Sequence, residues 1–141
     1  MIRGEFPDAG EQSAASLRAA YEAVLVDTIE QVGAGTAAEG TDVDRETIDA
    51  LVAGESPALT VEEAAAILAL EDGRPPADAI EAEARDILLM GMSTAVLDVE
   101  ALAARIDGAM DPKEIQQKIE GRHPLTLGEY ALLHGFIESR R

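Results

Sequence analysis

A segment of this chain occurs twice in diverged form, and this repeat constrains the fold more than any other feature of the sequence. Residues 115–133 (IQQKIEGRHPLTLGEYALL) align with residues 48–67 (IDALVAGESPALTVEEAAAI). The offset is 67 residues before one inserted alanine, Ala58, and 66 residues after it. The matched pairs are Ile48/Ile115, Val52/Ile119, Gly54/Gly121, Pro57/Pro124, Leu59/Leu125, Thr60/Thr126, Glu63/Glu129 and Ile67/Leu133. We therefore predict a duplicated supersecondary unit.

Apolar residues recur at helical spacing along the chain, and no alternating strand pattern of convincing length is found, so we expect an all-α fold. The predicted helices cover residues 16–32, 44–53, 77–91, 99–106 and 111–120, and two more follow Thr60 and Thr126. Residues 36–40 are expected to form at most a short turn, because Gly40 weakens any helix there. We predict two pseudo-repeated four-helix units, residues 14–73 and 74–141, packed into one compact helical bundle. Residues 1–13, which lack periodicity, are predicted to be a flexible N-terminal lead-in.

Local signals mark where these helices begin and end. Thr60 with Glu63, and Thr126 with Glu129, have the spacing of capping boxes. Asp44, Asp98 and Asp111 are predicted N-caps, with Pro112 at a first helical position and Glu114 placed to complete a third box. Gly33, Gly54, Gly91 and Gly121 are predicted to end helices, and Ile48, Leu51 and Val52 to form the inner face of the helix over residues 44–53.

The composition excludes several classes of protein. Hydrophobic residues make up 47% of the chain but aromatic residues only 3%, which suits closely spaced helices built from Ala, Leu, Ile and Val. The absence of cysteine rules out disulfides, thiolate metal sites and a cysteine nucleophile. No apolar run approaches the roughly 20 residues needed to span a bilayer, and the N-terminal residues lack the apolar core of a signal peptide. We expect a soluble cytoplasmic protein without membrane contact.

The charge balance is the most unusual property of the composition. There are 28 acidic against 11 basic residues, a net charge of −17, and the acids are spread over all the helices. Lys113 and Lys118 are the two lysines, and every other base is arginine. Evenly spread acidity of this size causes self-repulsion and opposes nucleic-acid binding at ordinary salt. Molar salt shortens the Debye length to about 3 Å and suppresses the repulsion, so we predict a protein from a high-salt environment.

The sequence offers no set of residues suited to catalysis. His123 and His134 are the two histidines, eleven positions apart, and neither has the HxxxH or HExxH spacing of a zinc site. The glycines match neither a dinucleotide-binding nor a phosphate-binding loop. We therefore expect no catalytic, cofactor or metal site, and no enzymatic activity.

A contrast between two matching helices supplies the one candidate binding site. Residues 44–55 contain four acids and one base, whereas residues 111–122 contain three of each. The second segment holds the five candidate DNA-binding residues: Lys113, Gln116, Gln117, Lys118 and Arg122. Glutamine can pair bidentately with adenine in the major groove, and lysine or arginine can contact phosphates or guanine. The alternative is a solvated polar face. The acidic first segment would repel phosphate and is better explained as a scaffold or a partner-binding surface.

Two resemblances extend this interpretation. Each unit resembles the Xre-like (phage-repressor) helix-turn-helix domain. In the second unit, Ile115, Ile119, the Glu-Gly helix exit at residues 120–121 and the Pro-Leu-Thr loop at residues 124–126 carry that resemblance. The stretches at residues 55–68, 88–98 and 116–133 also resemble a family of uncharacterised proteins from halophilic archaea, which implies no catalytic or cofactor residues. We predict a non-enzymatic interaction or regulatory module that binds a protein partner or a second copy of itself. The alternative is a DNA-binding transcriptional regulator that uses the second unit.

Overall fold

The computed structural model describes residues 6–106 and 108–141. Within those ranges the chain forms eight α-helices, one short 3-10 helix at Ala9–Glu11, and no β-strand, so the all-α prediction is confirmed. The helices are α1 (Ala14–Val32), α2 (Ala34–Gly40), α3 (Arg45–Val52), α4 (Val61–Leu68), α5 (Ala77–Ala95), α6 (Val99–Arg105), α7 (Pro112–Ile119) and α8 (Leu127–Ser139).

Both predicted capping boxes are present. The Thr60 hydroxyl accepts a hydrogen bond from the Glu63 amide at 3.1 Å, and the Glu63 carboxylate accepts one from the Thr60 amide at 3.0 Å. Thr126 and Glu129 make the same two bonds at the start of α8. Each box satisfies two amides that would otherwise lack a partner at a helix start, which fixes where α4 and α8 begin.

Aspartates occupy the other predicted cap positions. Asp98 and Asp111 accept hydrogen bonds from the amides of Ala101 and Glu114, whereas Asp44 stands at the N-cap of α3 without a side-chain capping bond. The third capping box, predicted for Glu114, does not form. The Glu114 carboxylate pairs instead with the ammonium group of Lys118, 3.0 Å away.

Gly54 and Gly121 end α3 and α7 as predicted. Their φ angles are +85° and +83°, in the left-handed region that side chains disfavour. The amides that follow reach back to carbonyls in the last helical turn, from Glu55 to Ala50 and from Arg122 to Gln117. This bond pattern is a Schellman motif, in which a glycine lets the chain reverse sharply after the helix.

Two helix predictions were wrong, and tertiary contacts explain both. α2 is a complete helix that includes Gly40; Ala37 is fully buried in the core, and its carbonyl accepts the Thr41 hydroxyl at 2.7 Å. α5 passes through Gly91 and ends four residues later. A Cβ atom on Gly91 would lie 2.6 Å from the Cγ2 atom of Ile137, so this glycine permits a close crossing of α5 and α8. Packing outweighs the intrinsic cost of glycine in a helix.

Residues 6–13, part of the segment 1–13 predicted to be a flexible lead-in, pack against α8; residues 1–5 lie outside the described residues. The Phe6 ring meets the Tyr21 ring edge-on, with 4.7 Å between centroids. Ala9 is fully buried, and its short 3-10 helix packs along α8. These apolar contacts were not visible as a periodic pattern because the segment is too short to show one.

The two halves of the chain share one hydrophobic core. α1 packs on α8, α5 packs on α4, and the pairs α2–α3 and α6–α7 flank them. The loops before α4 and α8 are joined by two hydrogen bonds, from the Val61 amide to the Leu125 carbonyl at 2.8 Å and from the Leu127 amide to the Leu59 carbonyl at 2.7 Å. The buried side chains of both halves belong to one continuous cluster.

No single helix in the described residues is long and apolar enough to cross a membrane. α5 and α6 together meet that criterion by length and composition, but the chain turns by 92° between them.

Candidate functional site

The outward face of α7 carries most of the residues predicted to contact DNA. Asp111 and Pro112 start this helix, and Ile115 and Ile119 bury its inner side in the core. Because these residues fix the rotation of the helix, Lys113 and Gln116 face the solvent. The amide of Gln116 donates to the carboxylate of Glu120 at 3.1 Å.

Arg122 lies just beyond the end of α7 and joins the same face. Its guanidinium pairs with Glu120 at 2.6 Å. Glu120 therefore takes hydrogen bonds from two of the five predicted residues, Gln116 and Arg122. Exposed ion pairs of this kind are worth about 0–1 kcal/mol, so a phosphate could displace Glu120 from Arg122 at little cost.

Lys118 is turned away from that face. Its ammonium group pairs with Glu114 at 3.0 Å and with Glu129, the capping residue of α8, and only 14% of its side chain is exposed. Desolvation opposes the charged form, but the hydrogen bonds to Glu129 and Glu114 outweigh it and raise the pKa of Lys118. The pKa of Glu129 is lowered, since its bonds with Lys118 and Thr126 outweigh its own desolvation. Lys118 thus ties α7 to α8.

Gln117 is half-buried, and its backbone carbonyl accepts the amides of Arg122 and His123 in the turn after α7. The structure therefore brings together Gln116 and Arg122 around Glu120, leaves Lys113 exposed on the same helix, and separates Lys118 from them. Two of the three predicted cations already have carboxylate partners.

A second surface, a groove between α1 and α3, was not predicted. Its volume is about 310 Å³. Ala19, Ala23 and Val26 line it from α1, and Leu51 and Val52 line it from α3. Val52 was predicted to belong to the inner face of α3 but is 45% exposed, because it lies at the edge of this groove. The sequence signal that pointed here was the acidity of residues 44–55.

Acidic side chains border the groove. Glu22, Asp27 and Glu55 are among the residues lining it, and no basic residue is among them. Glu22 accepts the Ser56 hydroxyl at 2.9 Å and pairs with Arg18 at 3.4 Å. The groove therefore combines an apolar floor with a negatively charged border.

The corresponding surface between α5 and α7 is closed. The Arg85 side chain lies over Gly121, with its Nε atom 3.4 Å from where a Cβ atom would be, and Nε donates to the Lys118 carbonyl at 3.3 Å. Ile119, the counterpart of Val52, is only 2% exposed. Gly54 has no atom within 4 Å of its Cβ position. The Arg85 side chain therefore fills the surface between α5 and α7, whereas no side chain of the described residues covers Gly54 in the groove between α1 and α3.

The one buried polar pair in the described core joins α1 to α8. The Tyr21 hydroxyl and Nδ1 of His134 share a short hydrogen bond, and the neighbouring Tyr130 hydroxyl donates to the Ala84 carbonyl at 3.0 Å. Burial lowers the pKa of His134 to about 3 and raises that of Tyr21, so both groups are neutral at pH 7. A neutral tyrosine hydrogen-bonded to a neutral histidine links the two helices and is not an activated nucleophile.

His123 is exposed in the loop after α7 and does not join this pair. Among residues 6–106 and 108–141, no group of three or more His, Cys, Asp or Glu side chains is arranged to hold a metal ion. The α7 face offers hydrogen-bonding groups and charge, and the groove offers apolar surface with charge at its border.

The chain belongs to a family of unknown function (DUF5791), whose model matches residues 17–140. The match covers all eight α-helices except the first three residues of α1. No curated protein and no solved structure matches the chain.

Proposed function

We propose that this member of the family is a non-enzymatic interaction or regulatory module made of two pseudo-repeated helix-turn-helix-like units. The order of helix lengths supports the duplication: 19, 7 and 8 residues for α1–α3, and 19, 7 and 8 residues again for α5–α7. The fourth helices, α4 and α8, both begin with a capping box. In this interpretation α2–α3 and α6–α7 are the two helix-turn-helix motifs, as in Xre-like domains.

Contacts between the halves support a pseudo-twofold relation. The two hydrogen bonds between the loops before α4 and α8 join equivalent positions in opposite directions: Val61 to Leu125 and Leu127 to Leu59. The helix pairs α1–α8 and α5–α4 are likewise equivalent under exchange of the halves. Each unit therefore completes its core with the last helix of the other unit, so neither half is expected to fold alone.

The open groove between α1 and α3 is the observation that carries the docking function. Val52 is 45% exposed and lies beside the other apolar residues that line the groove. Contiguous exposed apolar patches are a feature of partner-binding surfaces. The proposed partner is another protein or a second copy of this chain.

Affinity purification of the tagged protein from its native host in molar KCl tests the docking function. We expect a partner to co-purify with the wild type and with Lys113→Ala, but not with Val52→Asp. Both substituted residues are exposed, so both variants should fold, and circular dichroism verifies this. Equal recovery of the partner with Val52→Asp would overturn the assignment to the groove.

A DNA-binding regulator is the second candidate, because Lys113 and Gln116 are exposed on a helix without net negative charge. Affinity from phosphate contacts falls by about 0.9 log units per contact per decade of salt. At high salt, recognition must therefore rely on base edges, each worth about 1–3 kcal/mol. We expect the double variant Gln116→Ala, Gln117→Ala to lose more affinity than Lys113→Ala. Fluorescence anisotropy in molar KCl, with DNA fragments from the neighbourhood of the gene, measures this; no binding by the folded protein excludes it.

We further propose that the protein works in a high-salt cytoplasm. The net charge of −17, with two lysines in the chain, supports this assignment. Screening at distances of a few ångströms should relieve the repulsion between surface carboxylates, so the melting temperature should rise from dilute buffer to molar KCl. Far-ultraviolet circular dichroism across a salt series measures it. An unchanged melting temperature would contradict the proposal.

A further inference from the structure

The closed surface of the second half indicates what the open groove of the first half can accept. Between α5 and α7, a guanidinium from Arg85 covers Gly121 and donates to the carbonyl of Lys118 in the last turn of α7. The last carbonyls of a helix carry partial negative charge, and cations are favoured there. Arg85 thus satisfies a site that the C-terminal turn of a helix creates.

The same site in the first half has no such side chain. Glu22 stands where Arg85 stands in the second half, since both are the ninth residue of a 19-residue helix. Gly54 has open space over its Cα atom, and Leu51, the counterpart of Lys118, presents its carbonyl at the same place in the last turn of α3. A carboxylate at this position cannot cover the turn as a guanidinium does, because it would meet the negative end of the helix.

The surroundings of the groove favour a cation that is attached to an apolar surface. Ala19, Ala23 and Val26 are spaced four and three residues apart and so form one stripe along α1. The small alanine side chains allow another helix to approach closely, and Val52 extends the apolar area from α3. The flanking carboxylates Asp27 and Glu55 add negative charge.

We propose that the α1–α3 groove docks a basic amphipathic helix of a partner protein, with an arginine of that helix lying over Gly54 as Arg85 lies over Gly121. The apolar face of the partner covers Ala23, Val26 and Val52, and its bases meet Asp27 and Glu55. This inference rests on the docking function proposed above and specifies the chemistry of the partner. Apolar contact does not depend on charge, and an ion pair partly buried under the partner helix is screened by molar salt much less than exposed charges are.

A synthetic peptide of about 18 residues, with leucine and alanine on one face and arginine on the other, is the probe. The control is the same peptide with every arginine replaced by glutamate. Amide chemical shifts of the full chain in molar KCl should change at Ala23, Val52 and Gly54 with the basic peptide, and not with the acidic one. Gly121 should be unaffected, because Arg85 already covers it.

Variants of the chain test the arginine site itself. Glu22→Arg introduces the side chain that closes the second half, and we expect it to weaken peptide binding at least about ten-fold by filling the groove and removing charge. Glu22→Gln preserves the bond to Ser56 and should weaken binding less. Arg45→Gln, whose side chain pairs with Asp49 on α3 away from the groove lining, is the matched control and should bind as the wild type does.

Three outcomes would overturn the inference: equal binding of the acidic peptide, equal binding by folded Glu22→Arg, and shifts centred on Gly121. Failure of the peptide together with loss of a native partner in Val52→Asp would leave the docking function standing and reject only the basic helix. A change in oligomeric state caused by Val52→Asp, measured by light scattering, would assign the groove to a second copy of the chain. If Val52→Asp still binds both the peptide and the native partner, both proposals are rejected.

Discussion

The surface between α1 and α3 is open and acidic, whereas the surface between α5 and α7 is filled by Arg85. The helix lengths, the exit glycines Gly54 and Gly121 and the capping threonines are the same in both places. One charge difference, Glu22 against Arg85, accompanies a change in exposure from 45% at Val52 to 2% at Ile119. The two places thus share helix lengths, caps and exit glycines, and they differ in the side chain beside the surface, Glu22 in one and Arg85 in the other.

The contact of each long helix, α1 or α5, with the fourth helix of its own half gives the test with the largest expected effect. In the second half Gly91 lies against Ile137, and in the first half the equivalent residue is Thr28, whose hydroxyl lies 3.5 Å from Glu71. Gly91→Thr would give the second half the residue of the first. We expect a loss of about 3 kcal/mol in the free energy of unfolding, because a Cβ atom there would meet Ile137 at 2.6 Å.

Urea unfolding in molar KCl measures this loss. Thr28→Gly is the matched control; it removes a buried methyl and hydroxyl without creating a clash, and we expect a smaller loss of about 1–2 kcal/mol. If Gly91→Thr proved as stable as the wild type, α5 and α8 would not cross as closely as the structure shows.

Gly91 also marks the limit of what the sequence could establish. A glycine after an amphipathic stretch predicts a helix end, and at Gly54 and Gly121 that prediction was confirmed by positive φ angles. At Gly91 the helix continues, and the glycine is there because α5 crosses α8 closely. The difference lies in the partner side chain, Ile137, which is 46 residues away in the sequence and cannot be assigned by local pattern.

The candidate site divides in the same way. The rotation of α7, and with it the exposure of Lys113 and Gln116, followed from the spacing of buried isoleucines. That Lys118 pairs with Glu129 depends on how α7 meets α8, and that Val52 is exposed depends on how α1 meets α3. The packing of one helix against another is not encoded in the periodicity of either helix, so the groove was not predicted.

The buried Tyr21–His134 pair gives the next test, since the residue of α4 that matches His134 is Leu68. The pKa of His134 is about 3 in the folded protein and about 6.5 when unfolded. Between these values the unfolded chain binds a proton that the native chain does not. The free energy of unfolding should therefore fall by about 1.4 kcal/mol per pH unit below pH 6.5, and by nothing above it.

The double variant His134→Leu, Tyr21→Phe replaces the pair by apolar groups and leaves no hydroxyl without a partner. Protonation of carboxylates changes both proteins alike, so the difference between them isolates the histidine. At pH 4.5 the wild type should have lost about 2–3 kcal/mol more than the variant, relative to pH 7.5. Parallel pH profiles from urea unfolding would show that His134 is protonated without cost.

The ends of the two long helices give the smallest and most specific test. α1 ends at Gly33 with φ +91°, and α5 ends at the equivalent position with Val96, at φ +56° and 89% exposed. A left-handed conformation costs a residue with a side chain about 1–2 kcal/mol, and a branched Cβ makes it less favourable still. Glycine avoids that cost but loses more backbone entropy on folding, by about 0.5–1 kcal/mol.

Val96→Gly should therefore stabilise the protein by about 1 kcal/mol, seen as a rise in melting temperature of a few degrees. Gly33→Val, the reverse change in the first half, should destabilise it by more, because Gly33 at φ +91° and ψ +142° lies outside the left-handed helical region that Val96 occupies. Val96 is exposed, so the gain cannot be attributed to repacking of the core. A loss of stability in Val96→Gly would mean that the valine side chain makes a contact worth more than the strain of its backbone. The two halves would then differ at this end for a reason of packing rather than of backbone conformation.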